Sequence, residues 1–207
     1  MKQKLICKVC GMTLGDNIRQ VEQLGVDWIG FIFYPRSPRF MDALPDYLPQ
    51  RAERVGVFVD QPKEEVLMYA DRFGLQAVQL HGHESPGYCR SLCGRGLRII
   101  KAFPVATADD LLATTAYEGC CDYYLFDTKS TQPGGSGQSF DWSVLQAYHG
   151  RTPFLLSGGI RPEQATVVRA LRHPLLAGID LNSRFESSPG VKDIQLLRQF
   201  LDAFNEE

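Results

Sequence analysis

The chain of 207 residues is 44% hydrophobic and 22% charged, with a formal net charge of −2, ordinary globular usage that excludes the disordered and fibrous classes. Without a block of like charges, nucleic acid and anionic membranes are poor partners, although a local pocket for a small anion is compatible with this balance. No apolar run approaches the ~20 residues that cross a bilayer, and Lys2, Lys4 and Lys8 interrupt the N-terminal stretch, so neither a signal peptide nor an anchor is expected and the six cysteines read as cytoplasmic free thiols.

Residues 5–10 read as a first strand, followed by a helix over 16–24 with Ile18, Val21 and Leu24 on one face. A second strand is expected at 28–33 and a third at 55–59, the latter leading into a helix over Lys63–Phe73 that aligns Val66, Leu67, Ala70 and Phe73. Then come a strand at Ala77–Leu80, a helix at 85–94, a strand at 98–103, a helix at 107–115, a strand at 123–127 and a short helix at 141–148. A strand at 154–157, a helix at 162–171 opened by a first-turn proline, a strand at 176–180 and a helix at 193–204 complete the chain. Strand–helix alternation of this kind implies a parallel sheet. A single (βα)8 TIM barrel over residues 1–207, of α/β class, fits eight such units best. A doubly wound open sheet is the runner-up, but its Gly-rich fingerprint is missing, since the first turn reads CGMTLGDN.

In a barrel, function gathers at the C-terminal ends of the strands. Those ends are Cys10-Gly11, the loop 34–39, Asp60, Gln79 to Gly82, Lys101, Asp127 to Lys129, Ser157 to Gly159 and Asp180 to Ser183. They are polar or small while the strand bodies are apolar, and that contrast points to a site.

Seven stretches, in order along nearly the whole chain, carry a resemblance. They are Lys8-Val9-Cys10-Gly11-Met12-Thr13, Gly30 through Arg39 (GFIFYPRSPR), Val55-Gly56-Val57-Phe58-Val59, Val78-Gln79-Leu80-His81-Gly82, and Leu125-Phe126-Asp127-Thr128-Lys129. Gly134-Gly135-Ser136-Gly137 with Phe140-Asp141-Trp142, and Leu156-Ser157-Gly158-Gly159, complete the set. On these the chain resembles the phosphoribosylanthranilate isomerase family of tryptophan biosynthesis, within the ribulose-phosphate-binding barrels. The resemblance implies a cofactor-free, metal-free Amadori rearrangement of a small phosphosugar by a monomer or homodimer. It implies Cys10 as general base, Asp127 as general acid and Arg39 as the ligand of the anthranilate carboxylate. Gln79, His81, Gly135, Ser136, Gly137 and Asp180 would line the substrate, and Gly158, Gly159, Asn182 and Ser183 would hold the phosphate. One departure stands out: Arg184 occupies a position where many members have glycine, and either donates to the phosphate or points to solvent.

The chemistry suits this set. Opening a furanose ring and moving a proton from C2′ needs one acid and one base on opposite sides of the sugar. Glycines after the seventh strand let backbone N–H groups approach an anion, and the flexible run at 133–137 fits a mobile cover or a plain surface loop. Other readings stay open. Cys10 could be a structural thiol, Asp127 a helix N-cap, Arg39 a surface charge and His81 a wall residue. Lys8 and Lys101 are expected to pair with carboxylates such as Asp180, while Cys89, Cys93, Cys120 and Cys121 read as structural. Rival functions are the sister isomerase of histidine biosynthesis, whose first strand ends in Asp, a Schiff-base aldolase using Lys101 or Lys129, a non-catalytic phosphosugar-binding protein, and a redox protein built on the Cys7–Cys10 spacing. Alternation along a strand speaks against the last, because residues three apart face opposite ways.

Overall fold

In the first strand, β1 (Ile6–Val9), Cys7 and Val9 turn outward into the main core while Lys8 turns to the axis, so a period of two decides which residues meet the interior. The protein is described by a computed structural model covering residues 4–128 and 141–206. The seven strands that follow are β2 (Trp28–Ile32), β3 (Glu53–Phe58), β4 (Ala77–Leu80), β5 (Arg98–Val105), β6 (Tyr123–Thr128), β7 (Phe154–Leu156) and β8 (Leu176–Leu181). They run parallel and close in sequence order, with β1 paired to β8 through Lys8 and Asp180. Closure rules out the open doubly wound sheet.

Among the described residues five α-helices pack outside: α1 (Gly15–Gln23), α2 (Lys63–Phe73), α3 (Pro86–Leu92), α4 (Ala165–Ala170) and α5 (Ile194–Asn205). Two expected helices are instead 3-10 segments, Ala108–Tyr117 and Trp142–Ala147. Their buried residues explain the difference. Leu111 and Thr114 in one, and Trp142 and Leu145 in the other, lie three apart, which suits three residues per turn better than 3.6. The helix expected over 162–171 likewise begins as a 3-10 turn, Pro162–Gln164, before α4.

The apolar interior splits into two bodies. A large one lies between strands and helices, and a small one fills the barrel with Trp28, Val55, Ala77, Ile100, Ala102, Leu125 and Leu155. The barrel is therefore a packed core with a floor, on which the polar strand ends stand. Beyond β8, a hairpin of β9 (Glu186–Ser188) and β10 (Val191–Lys192) lies before α5. Asn17 of α1 pins it by accepting from the Lys192 N–H at 2.7 Å and donating to its carbonyl at 2.9 Å. No helix among the described residues is long and apolar enough to cross a membrane.

Candidate active site

Cys10 follows β1 at the mouth, its N–H bound to the Leu181 carbonyl at 2.9 Å. Its thiol rests against Gly30 of β2, where an added Cβ would lie 2.7 Å from the sulfur. The next residue, Gly11, turns the chain at φ +77°, where a Cβ would meet Arg39 Cδ at 2.6 Å and Asn182 Oδ1 at 2.9 Å. Two glycines thus bring the thiol, the Arg39 stem and the β8 end together. Cys7 is buried in the outer layer, and both thiols are free. The CxxC spacing therefore makes neither a redox pair nor a chelate.

Beneath Cys10, the fully buried Lys8 donates to Asp180 at 2.8 Å. Burial works to lower the Lys8 ammonium, and the Asp180 carboxylate outweighs it, so Lys8 holds its proton above the ordinary range. Burial pushes the Asp180 carboxyl up against the opposing pull of Lys8. The Cys10 thiol is also pushed up by burial, with Lys8 acting the other way. The unliganded site therefore keeps a protonated thiol beside the cation that would favour its ionised form.

Across the mouth, Asp127 near the end of β6 accepts from the Thr128 N–H at 2.9 Å and lies 3.4 Å from His81 Nε2. Gln79 Nε2 stands 2.9 Å from His81 Nδ1. With Gln79 Nε2 as the donor, the imidazole turns an Nε2–H toward Asp127. Gln79, buried on β4, pairs with His81, and Asp180 pairs with Lys8. Gly158 and Gly159 follow β7 at φ +82° and +67°. A Cβ on Gly158 would sit 2.6 Å from Asp127 Oδ1, so this glycine is what lets the turn pass the carboxylate. Asn182 accepts from Lys192 Nζ through its side-chain oxygen at 2.8 Å, and its carbonyl accepts from the Phe185 N–H at 3.1 Å. Ser183 opens an exposed 3-10 turn, and Arg184 beside it is exposed. Gly135, Ser136 and Gly137 lie outside the described residues.

Two residues escaped the sequence reading. Arg39 is buried and held by Glu186 in a bidentate pair, and Lys192, fully buried, donates to the same carboxylate at 2.6 Å. Burial works to raise Glu186, and the bonds from Arg39 and Lys192 outweigh it, holding the carboxyl below its usual range. Neither residue lies at a barrel strand end, so the search along those ends passed them by. Lys101 pairs with Glu84 at 3.2 Å, not with Asp180, and also donates to the carbonyls of Leu80, Gly82 and Ala102. An ammonium so engaged is no Schiff-base nucleophile. A hollow of about 450 Å³ at the opposite end is lined by Trp28, Glu53, Arg98 and Tyr123, where an ion pair and aromatic edges close the floor.

A closed parallel barrel that gathers a buried thiol, a carboxylate and paired glycines at the C-terminal ends of its strands has the build of an enzyme of the TIM-barrel class. Residues 7–203 match the model of the N-(5′-phosphoribosyl)anthranilate (PRA) isomerase family, and the chain belongs to that family, whose members are isomerases of tryptophan biosynthesis. It is 48% identical over 203 residues to the N-(5′-phosphoribosyl)anthranilate isomerase of Phocaeicola vulgatus, covering 98% of this chain and 99% of that one. With that of Parabacteroides distasonis it shares 52% identity, covering 95% and 92%. The crystal structure of the Thermotoga maritima enzyme superposes with a TM-score of 0.85 at 34% identity, covering 97% and 98%. Another isomerase, solved with reduced 1-(o-carboxyphenylamino)-1-deoxyribulose 5-phosphate, superposes at 0.82 with 31% identity, covering 97% and 98%.

Proposed function

We propose that this chain converts N-(5′-phosphoribosyl)anthranilate to 1-(o-carboxyphenylamino)-1-deoxyribulose 5-phosphate with Cys10 as base and Asp127 as acid. The observation that carries the reading is the placement of these two groups at the ends of β1 and β6, each backed by its own polar support, Lys8 below one and His81 beside the other.

Asp127 gives its proton to the furanose ring oxygen, the C1′–O bond breaks, and the nitrogen lone pair forms the iminium. Cys10, as thiolate, takes the proton from C2′, and the electrons flow into the iminium to give the enolamine. Protonation at C1′ and loss of the 2′-hydroxyl proton complete the ketone. Because burial keeps the resting thiol protonated, Lys8 is the group that stabilises the thiolate when the base is needed. The Gly158-Gly159 turn and the backbone of Asn182 and Ser183 are the phosphate cradle, and Arg39 meets the anthranilate carboxylate. The substrate is a small phosphosugar and neither nucleic acid nor membrane is a partner; the enzyme works in the cytoplasm as a monomer or homodimer.

The test follows the loss of fluorescence of freshly generated phosphoribosylanthranilate. Cys10→Ser and Asp127→Asn are each expected to lose nearly all turnover, with Cys7→Ser mild. Full activity in either of the first two overturns the role of that residue. Equal damage from Cys7→Ser and Cys10→Ser favours the redox reading. The sister reaction of histidine biosynthesis is disfavoured because Cys10 stands where that family has Asp.

A further inference from the structure

The guanidinium of Arg39 has two faces that can grip a carboxylate side by side, the lateral edge of Nε and Nη2 and the terminal edge of Nη1 and Nη2. Glu186 occupies the lateral edge. Nε donates to Oε1 at 2.8 Å and Oε2 at 3.0 Å, and Nη2 donates to Oε2 at 2.6 Å. The terminal edge is the one left for another anion.

Glu186 is itself fixed. Its Oε1 also accepts from Lys192 Nζ at 2.6 Å and from the Gly190 N–H at 3.2 Å. The β9–β10 hairpin that carries it is tied to α1 through Asn17 and to the segment after β1 by the Thr13 hydroxyl, which donates to the Gly190 carbonyl at 3.0 Å. Side-chain exposures of 10% for Arg39, 4% for Glu186 and 0% for Lys192 place the whole triad out of water. One carboxylate lies against two basic side chains, of which burial holds the Lys192 ammonium below its ordinary range, and the Arg39 stem passes Gly11 beside the thiol.

We propose that Glu186, backed by Lys192, is a positioning residue that holds Arg39 by its lateral edge so that the terminal edge meets the carboxylate of the substrate, making this hairpin the element that selects a carboxylated arylamine. The inference rests on the reading that Arg39 binds that carboxylate. Lys192 keeps Glu186 ionised in a dry place, and its second bond, to Asn182, couples the carboxylate end of the site to the phosphate end.

The experiment compares two substrates made in the same way, from ribose 5-phosphate with anthranilate or with aniline, which lacks the carboxylate. The wild type, Glu186→Gln, Arg39→Met and the double variant are assayed on both. Glu186→Gln is expected to lose about ten- to a hundredfold of the preference for the carboxylated substrate, the range of one charged hydrogen-bonding contact. The loss should appear in KM, with kcat and the aniline substrate little changed, and the double variant should discriminate no worse than Arg39→Met alone. Equal losses on both substrates in Glu186→Gln, while Arg39→Met still abolishes the preference, overturn the positioning role and leave the Arg39 reading standing. An intact preference in Arg39→Met overturns that reading and this inference with it. Tighter binding of the carboxylated substrate by Glu186→Gln would show Glu186 competing with it, which also overturns the proposal. Should the Gln variant not fold, Glu186→Asp, which keeps the charge but withdraws it by one methylene, takes its place with the same expected loss.

Discussion

Gly30 is a direct lever on the thiol. In Gly30→Ala the new Cβ would lie 2.7 Å from Cys10 Sγ, 3.1 Å from its Cα and 3.3 Å from its Cβ. Ordinary contacts sit near 3.5–4.0 Å, so the sulfur must move by about 1 Å, and the Cys10 backbone, bonded to Leu181 of β8, gives little. Misplacing a reacting group by that much costs up to about a hundredfold in rate, while overpacking costs about 1–3 kcal/mol of stability. At 2–4 °C of Tm per kcal/mol for a chain of this size, the melt should fall by about 2–12 °C. The control is Gly56→Ala on β3, where a Cβ would meet Phe58 Cε2 at 2.6 Å and Cζ at 3.0 Å in the outer layer. It should lose comparable stability and keep its kcat. The assay is saturating turnover of phosphoribosylanthranilate below both melting points, with thermal melts alongside. A kcat for Gly30→Ala within twofold of wild type, in a folded protein, refutes the claim that the thiol must sit where it does.

Lys8→Met leaves the Asp180 carboxylate buried without its cation, which costs about 3–5 kcal/mol; thermal melts should show this, with much of it recovered in Lys8→Met/Asp180→Leu, and an unchanged melt in the single variant refutes the pairing. Glu186 is held below its ordinary value of 4.5, so the unfolded chain binds the extra proton there and stability rises with pH. Its contribution is full above 4.5 and is lost as pH falls through the lower folded value. Glu22 is shifted the same way, so the quantity to measure is the difference between wild type and Glu186→Gln in chemical denaturation from pH 6 to 3. That difference should shrink toward acid, and a constant offset would refute it.

The strands were legible because alternation and apolar content both survive in a single sequence. β4 (Ala77–Leu80) and α2 (Lys63–Phe73) begin and end where the pattern places them. The 3-10 segments read as helices in the sequence because a single apolar spacing of three is one that an α-helix also carries, and only burial shows that the pairs Leu111–Thr114 and Trp142–Leu145 follow three residues per turn. At the site, the inward turn of Lys8 and the outward turn of Cys7 follow from the strand period alone, and the register then fixes Asp180 opposite Lys8. The partner of Arg39 could not be read this way. Glu186 lies 147 residues further on, in a hairpin of two short strands with no periodic signal, and only closure of the barrel brings the β2 loop against the segment after β8. Lys101 finds a carboxylate as its strand position leads one to expect, but which one, Glu84 in the loop after β4, is set by the fold.

The buried charges explain why such a mouth suits a phosphorylated, carboxylated substrate. Lys8, Arg39 and Lys192 are all withdrawn from water, and Asp180 and Glu186 answer only two of them. An unanswered buried cation is unfavourable unless an anion joins it. The free enzyme therefore carries an electrostatic demand at the proposed carboxylate end, while the proposed phosphate end is the Gly158-Gly159 turn, with both glycines at positive φ. On the roles proposed above, a substrate with an anion at each end would meet both at once, with its sugar between Cys10 and Asp127. Two anchoring ends of different character also set the direction in which the substrate lies. Swapping them would put a dianionic phosphate against Glu186 and Asp180. The polarity proposed to orient the sugar is thus built from ion pairs that tie β1 to β8 and the loop after β2 to β9, which links substrate orientation to the closure of the barrel.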